Sequence, residues 1–178
     1  MQLHARFICA ILIACASAHS FALEAPLQAP NVVVISPKLV TAGQPTAAAL
    51  AGLGAQGFKA VIYLAPLTVA DAVPAEAGIV RGQGIEFIHI PIEFGDPTEA
   101  DYLTFAAAMN RLRDQKVLVH CQVDMRASSM TFLYRVLVNK ENPELAYEAV
   151  SRVWSPRGVW KTLITTQLRK ANIPFEPF

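Results

Sequence analysis

The stretch VLVHCQVDMRASS at residues 117–129 is an apolar run that ends in Cys121. Arg126 follows five positions later, and a helix-compatible segment begins at once. That order places a thiol in a tight loop between a buried strand and a helix N-terminus. Such a loop aims several backbone N–H groups at one spot and adds the positive end of a helix dipole, which together suit a tetrahedral oxyanion. The same field favours thiolate over thiol, so one loop both binds the anion and activates the nucleophile. The competing meaning of a lone cysteine is a small, inert, buried apolar residue.

In this reading Cys121 attacks an electrophilic centre in line, and the fork of Arg126 grips two oxygens and stabilises their growing charge. Otherwise Arg126 is a helix-start arginine paired with Asp124 or another surface acid. Gln122, Val123, Asp124, Met125, Arg126 and Ala127 supply cradle amides. A carboxylate aimed into such a cradle would repel an anion, so Asp124 is expected to point outward or to orient Arg126 from behind. Ser128 can bond to the sulfur and ease its departure, or simply decorate a helix start.

The elements that must hold this loop follow from apolar periodicity and turn chemistry. Strands are expected at 32–35, 39–41, 59–64, 85–90 and 117–120. Thr46 caps a helix over 47–55 closed by Gly57, and part of 69–81 is helical. Thr98 to Asp101 has the form of a capping box, opening a long helix through Leu112. Further helices are expected at 127–138, 143–153 and 158–170. Strands alternating with helices make a single α/β domain with a mainly parallel sheet, whose ligands sit beyond the carboxyl ends of the strands, where Cys121 falls. Trp154 and Trp160 read as core. His89, His120 and Cys121 match no metal signature, so neither a metal nor a cofactor is expected.

The chain has 178 residues, a net charge of +1 and no polybasic run, so nothing points to nucleic acid. Residues 1–22 read as an export signal: one basic residue at Arg6, an apolar run too short to span a bilayer, then small residues ending at Ala22. A competing reading of Leu12 to Cys15 is a lipoprotein box with a lipid on Cys15. Of the three cysteines, Cys9 and Cys15 lie in the leader. Cys121 is thus the only thiol of the expected mature domain, 23–178, which is periplasmic or secreted and has no internal disulfide.

The segment from His120-Cys121 through Arg126-Ala127-Ser128 resembles the signature loop of the cysteine-dependent tyrosine and dual-specificity phosphatases. The segments SPKLVTAGQP (36–45), GFKAVIYL (57–64) and FIHIP (87–91) are similar to bacterial phosphatase-like domains, some of them fused to β-lactamase-like hydrolases. The resemblance covers most of the mature chain. It implies a compact dual-specificity-phosphatase fold, a cysteinyl-phosphate intermediate and no metal. The substrate would be a phosphorylated protein or a small phosphomonoester. His120 resembles the family histidine that fixes the loop from behind. Glu93 and Asp96 occupy the segment that carries the proton donor, Asp96 slightly preferred. Each is otherwise a turn carboxylate, and Asp96 is also a candidate helix cap. The family loop usually holds five residues with a glycine between cysteine and arginine; here there are four and no glycine. Either the helix starts sooner or the guanidinium enters from another direction.

Cysteine, four residues and arginine is also the pattern of rhodanese-type sulfurtransferases, whose thiol carries a persulfide. A module that binds phosphate without turnover is the third possibility.

Overall fold

The computed structural model describes residues 27–178, so the expected leader and Cys15 lie outside the described residues. Five strands form one sheet: β1 (Val33–Ser36), β2 (Leu39–Ala42), β3 (Ala60–Tyr63), β4 (Glu86–His89) and β5 (Val117–His120). Their order is β1-β2-β5-β3-β4. Only β1 runs antiparallel, turning into β2 across Pro37 and Lys38. The other neighbours are parallel, so the carboxyl ends of β2, β3, β4 and β5 all face one side.

β5 lies at the centre and is buried at every position. Its alternation divides the core between the two faces of the sheet. Leu118 joins Val40 and Val61 under α1 (Ala47–Ala51) and α2 (Glu76–Arg81), where Leu50, Leu53 and Val80 complete a smaller cluster. Val117 and Val119 join Ile62 on the opposite face. There they pack against α3 (Glu99–Arg111), α4 (Met125–Leu137), α5 (Pro143–Ser151) and α6 (Gly158–Lys170).

The capping box expected before α3 forms in both directions: the Thr98 amide donates to Asp101 Oδ2 at 2.8 Å, and the Asp101 amide donates to Thr98 Oγ1 at 3.2 Å. Thr46 caps α1, but that helix ends at Gly52, and turns then carry the chain to Gly57 at φ 79°. Within 69–81 the helical part is α2 alone; turns precede it. α4 begins at Met125, two residues earlier than its apolar spacing indicates, because Asp124 turns the backbone through φ 70° and serves as N-cap. The short loop is therefore accommodated by an early helix start. Trp160 is core as expected, whereas Trp154 is half-buried. Among the described residues no helix is long and apolar enough to cross a membrane.

Candidate active site

The carboxyl end of β5 delivers Cys121 to the junction with α4, and neighbouring strands fix the loop. The Cys121 amide donates to Ala42 O at 3.2 Å and the Gln44 amide to Gln122 O at 2.9 Å, while Gly43 bridges to Val123. Only glycine permits this approach, since a Cβ at position 43 would lie 2.6 Å from Gln122 O and 3.0 Å from Val123 Cα. Asn31 Nδ2 donates to Val123 O at 2.9 Å from the outer side.

The sulfur sits on the floor of this loop, with the residue 0% exposed. Burial pushes the Cys121 thiol up; the amides of Ala127, Arg126 and Val123, which bond to the sulfur, pull it back, while the Asp124 charge adds to the rise. Three of the six expected cradle amides, those of Val123, Arg126 and Ala127, converge on the sulfur. The expected thiolate preference is absent, because desolvation outweighs three N–H dipoles.

Asp124 overturns the expectation that it points outward or orients Arg126. It is fully buried, and its Oδ2 accepts from Thr41 Oγ1 at 2.9 Å while Oδ1 has no partner. Burial lifts its carboxyl from 3.8 to about 8, against the bond from the Thr41 hydroxyl and the nearby Ser128 amide, which lower it. The acid is thus accommodated beside the cradle by staying largely neutral near pH 7. Ser128 is buried, and its hydroxyl donates to Met125 O at 3.3 Å within the first turn of α4. Met125 opens α4.

Arg126 is 4% exposed and held on three sides. Its Nε donates to Ile92 O at 2.9 Å, its Nη1 lies 3.5 Å from Gln122 Oε1, and its guanidinium lies 5.1 Å from the Phe94 ring centroid. Phe94 belongs to an aromatic wall. Its ring centroid is 5.9 Å from that of Trp154 and 5.7 Å from that of Trp160, and Trp160 Nε1 donates to Phe94 O at 2.9 Å. This wall fixes the segment following β4 over the arginine.

Beneath the loop, the His120 ring stacks on Tyr63 at 4.7 Å, and Tyr63 stacks on His89 at 5.2 Å. His120 Nε2 and Glu76 Oε1 are 2.6 Å apart, both residues buried, and Glu76 Oε2 accepts from Gln44 Nε2 at 2.8 Å. His120 therefore fixes the loop from behind through Glu76, a residue that no motif in the sequence marks. The capacity of glutamate to tie strand β5 to Gln44 has no local signal, because the partners lie 44 and 32 positions away. Burial pushes the Tyr63 phenol up to about 12, with the charges of Glu76, Asp71 and Cys121 adding and that of Arg126 opposing.

Glu93 and Asp96 are both exposed, and among the described residues neither carboxylate has a hydrogen-bond or ion-pair partner. Asp96 lines a groove between α3 and α6 with Glu99, Leu163 and Gln167. Asp71, which no motif in the sequence marks, is the carboxylate tied to the loop: its Oδ1 accepts from Gln122 Nε2 at 2.9 Å.

A mainly parallel central sheet with a cysteine loop leading into a helix is the arrangement of the cysteine-dependent tyrosine and dual-specificity phosphatases, which are hydrolases. The chain belongs to the family described as "DSP-PTPase phosphatase fused to NAD+ Kinase", which matches residues 35–162. It is similar to a DUF442 protein from Shewanella putrefaciens CN-32, at 27% identity and TM-score 0.73 over 80% of this chain and 92% of that one. The Beta-lactamase hydrolase-like protein of Agrobacterium fabrum is 32% identical over 110 residues, which cover 60% of this chain. The match spans only 25% of that relative's length. TpbA of P. aeruginosa, solved in complex with pTyr, shares the fold at 18% identity and TM-score 0.56, over 72% of this chain and 80% of that one.

Proposed function

We propose that this protein is an exported phosphatase that hydrolyses phosphomonoesters of the phosphotyrosine kind through a cysteinyl-phosphate. The observation that carries the reading is the convergence of the Val123, Arg126 and Ala127 amides on one sulfur, with the Arg126 side chain clamped beside it. Amides that bond a sulfur anion also suit the equatorial oxygens of a phosphoryl group in transfer. The ionised fraction of Cys121 attacks phosphorus, the ester P–O bond breaks, and the leaving oxygen takes a proton. Water then attacks the S–P bond, releasing phosphate and regenerating the sulfur. Phe94, 38% exposed over Arg126, offers an aromatic face to an aryl ester at the rim, and the complex of TpbA with pTyr supports the same substrate class.

Export rests on the composition of residues 1–22. An intact mass starting at Leu23, from protein recovered outside the cytoplasm, supports it; a lipid-modified Cys15 supports the anchored form, and retention of Met1 in the cytoplasm overturns both.

The four-residue spacing between Cys121 and Arg126 favours one second reading, sulfur transfer. There the thiolate would take the outer sulfur of thiosulfate, expel sulfite, and pass that sulfur to cyanide as thiocyanate. One comparison separates the readings: the mature protein and Cys121→Ser on p-nitrophenyl phosphate, a phosphotyrosine peptide and thiosulfate, with the adduct on Cys121 read by mass spectrometry. Phosphate release that depends on Cys121, with a trapped phosphoryl group, is expected. Thiocyanate with no phosphate establishes the sulfurtransferase, and tight vanadate binding with neither product marks a binding module.

A further inference from the structure

Ester cleavage by a cysteinyl-phosphate route needs a proton for the departing oxygen, and the cysteine loop has no carboxyl free to give it. Asp124 is buried against Thr41, and Arg126 is always cationic. Asp96 lines the groove between α3 and α6, and the Glu93 carboxylate has no polar partner among the described residues.

Asp71 is placed differently. It is exposed, in the turns between β3 and α2, and its Oδ1 accepts from Gln122 Nε2 at 2.9 Å. Gln122 is the residue directly after the nucleophile. Its Oε1 lies toward Arg126 Nη1, at 3.5 Å, so the one amide spans the gap between guanidinium and carboxylate. The two ends of that amide are ordered by charge: oxygen to the cation, NH2 to the carboxylate. The turn segment carrying Asp71 is anchored at both ends of the same site. At its start, Tyr63 stacks on His120 and reaches Pro66 O with its hydroxyl at 3.5 Å. At its end, Glu76 holds His120 from below at 2.6 Å.

We propose that Asp71, positioned by Gln122, is the general acid of the phosphatase reaction, a role that rests on the phosphatase reading above. As the S–P bond forms and the P–O ester bond breaks, the Asp71 carboxyl gives its proton to the leaving oxygen. The resulting carboxylate takes a proton from the water that attacks the cysteinyl-phosphate, so the acid is restored when phosphate leaves. Gln122 is a positioning residue in this scheme: it keeps the carboxyl within reach of the oxygen opposite the sulfur and shields it from pairing with Arg126.

The test compares the wild type, Asp71→Asn and Gln122→Ala on aryl phosphates of graded leaving-group basicity, from p-nitrophenyl to phenyl phosphate. Exposure of Asp71 makes the substitution tolerable to the fold, and a urea midpoint verifies it. Asp71→Asn is expected to lose about 100-fold in kcat/KM on phenyl phosphate and less than about tenfold on the p-nitrophenyl ester, whose oxygen leaves with little help. Gln122→Ala is expected to steepen the dependence on leaving-group basicity in the same direction but less. An Asp71→Asn loss of equal size on every ester overturns the proposal while leaving the phosphatase reading intact. So does a steeper dependence in Glu93→Gln or Asp96→Asn than in Asp71→Asn. Failure of the wild type to release phosphate from any ester overturns both.

Discussion

Replacing Asp124 by asparagine removes one ionisation while keeping nearly everything else in place. Asparagine still accepts from Thr41 Oγ1, and its side chain tolerates the φ of 70° that starts α4. In the unfolded chain the aspartate gives up its proton near 3.8; in the native protein it keeps it until about 8. Between those values the native state binds more protons than the unfolded one, so raising the pH destabilises the fold. Below pH 4 both states are protonated and above pH 8 both are charged, so the slope lies in between. Each pH unit of that interval costs about 1.4 kcal/mol, which sets a ceiling of roughly 6 kcal/mol. That ceiling is comparable with the whole stability of many domains, about 5–15 kcal/mol, so relaxation of the loop must absorb part of it. A difference of about 2–4 kcal/mol is the expected outcome. Urea unfolding of both proteins at steps from pH 4 to 9 measures it, since titrations elsewhere in the chain cancel in the comparison. The advantage of Asp124→Asn should be small at pH 4, grow to pH 8 and then level off. The Asp124 charge also raises the Cys121 thiol, so the variant's thiolate absorbance should appear at lower pH. Stability curves that run parallel throughout would refute the buried-acid account.

Two further substitutions probe the supports of the loop. Glu76→Ala strips the buried His120 Nε2 of its partner and leaves Gln44 Nε2 only its longer bond to Pro45 O at 3.4 Å, and should cost about 3 kcal/mol in urea unfolding; a loss under about 1 kcal/mol would show that the contact carries little energy. Arg126→Lys keeps the charge but cannot both reach Ile92 O and present a fork, so kcat on aryl phosphates should fall about 100- to 1000-fold; near-normal turnover would show that the guanidinium geometry is unimportant.

The strands and the long helices were legible because each is decided within a few residues. The capping box at Thr98 and Asp101 pairs groups three positions apart, and the β5 run VLVH is apolar enough to read as a strand buried on both faces. α6 starts at Gly158 and ends at Lys170 as its spacing indicates. The misplaced boundaries share a cause. α1 and α4 end or begin where a backbone conformation is imposed by tertiary contact. Val123 is held by Gly43 and Asn31, which forces the turn into Asp124 and lets the helix begin at Met125. Positive φ is uncommon outside glycine, and although aspartate adopts it more readily than most residues, nothing in the local pattern of side chains marked this position.

The nucleophile, the arginine and the cradle amides could be read from one contiguous segment, whereas everything that tunes them comes from elsewhere in the chain. Thr41 is 83 positions from Asp124, and Asp71 is 51 from Gln122. No local periodicity reports contacts of that range. The direction of the Cys121 shift shows what such distant contacts decide. From the loop alone, amides and a helix N-terminus argue for a thiolate; once Asp124 and the packed faces of β2 and β5 surround the sulfur, desolvation dominates and the thiol is favoured. Ionisation of this cysteine must therefore be coupled to Asp124. While Asp124 is neutral it adds no charge and the amides act against burial alone; once it ionises, the sulfur faces a second anion in a medium of low polarity. The two groups cannot readily be charged together, so raising the pH does not simply deliver more nucleophile. It brings first an ionised Asp124, which then holds the thiol protonated.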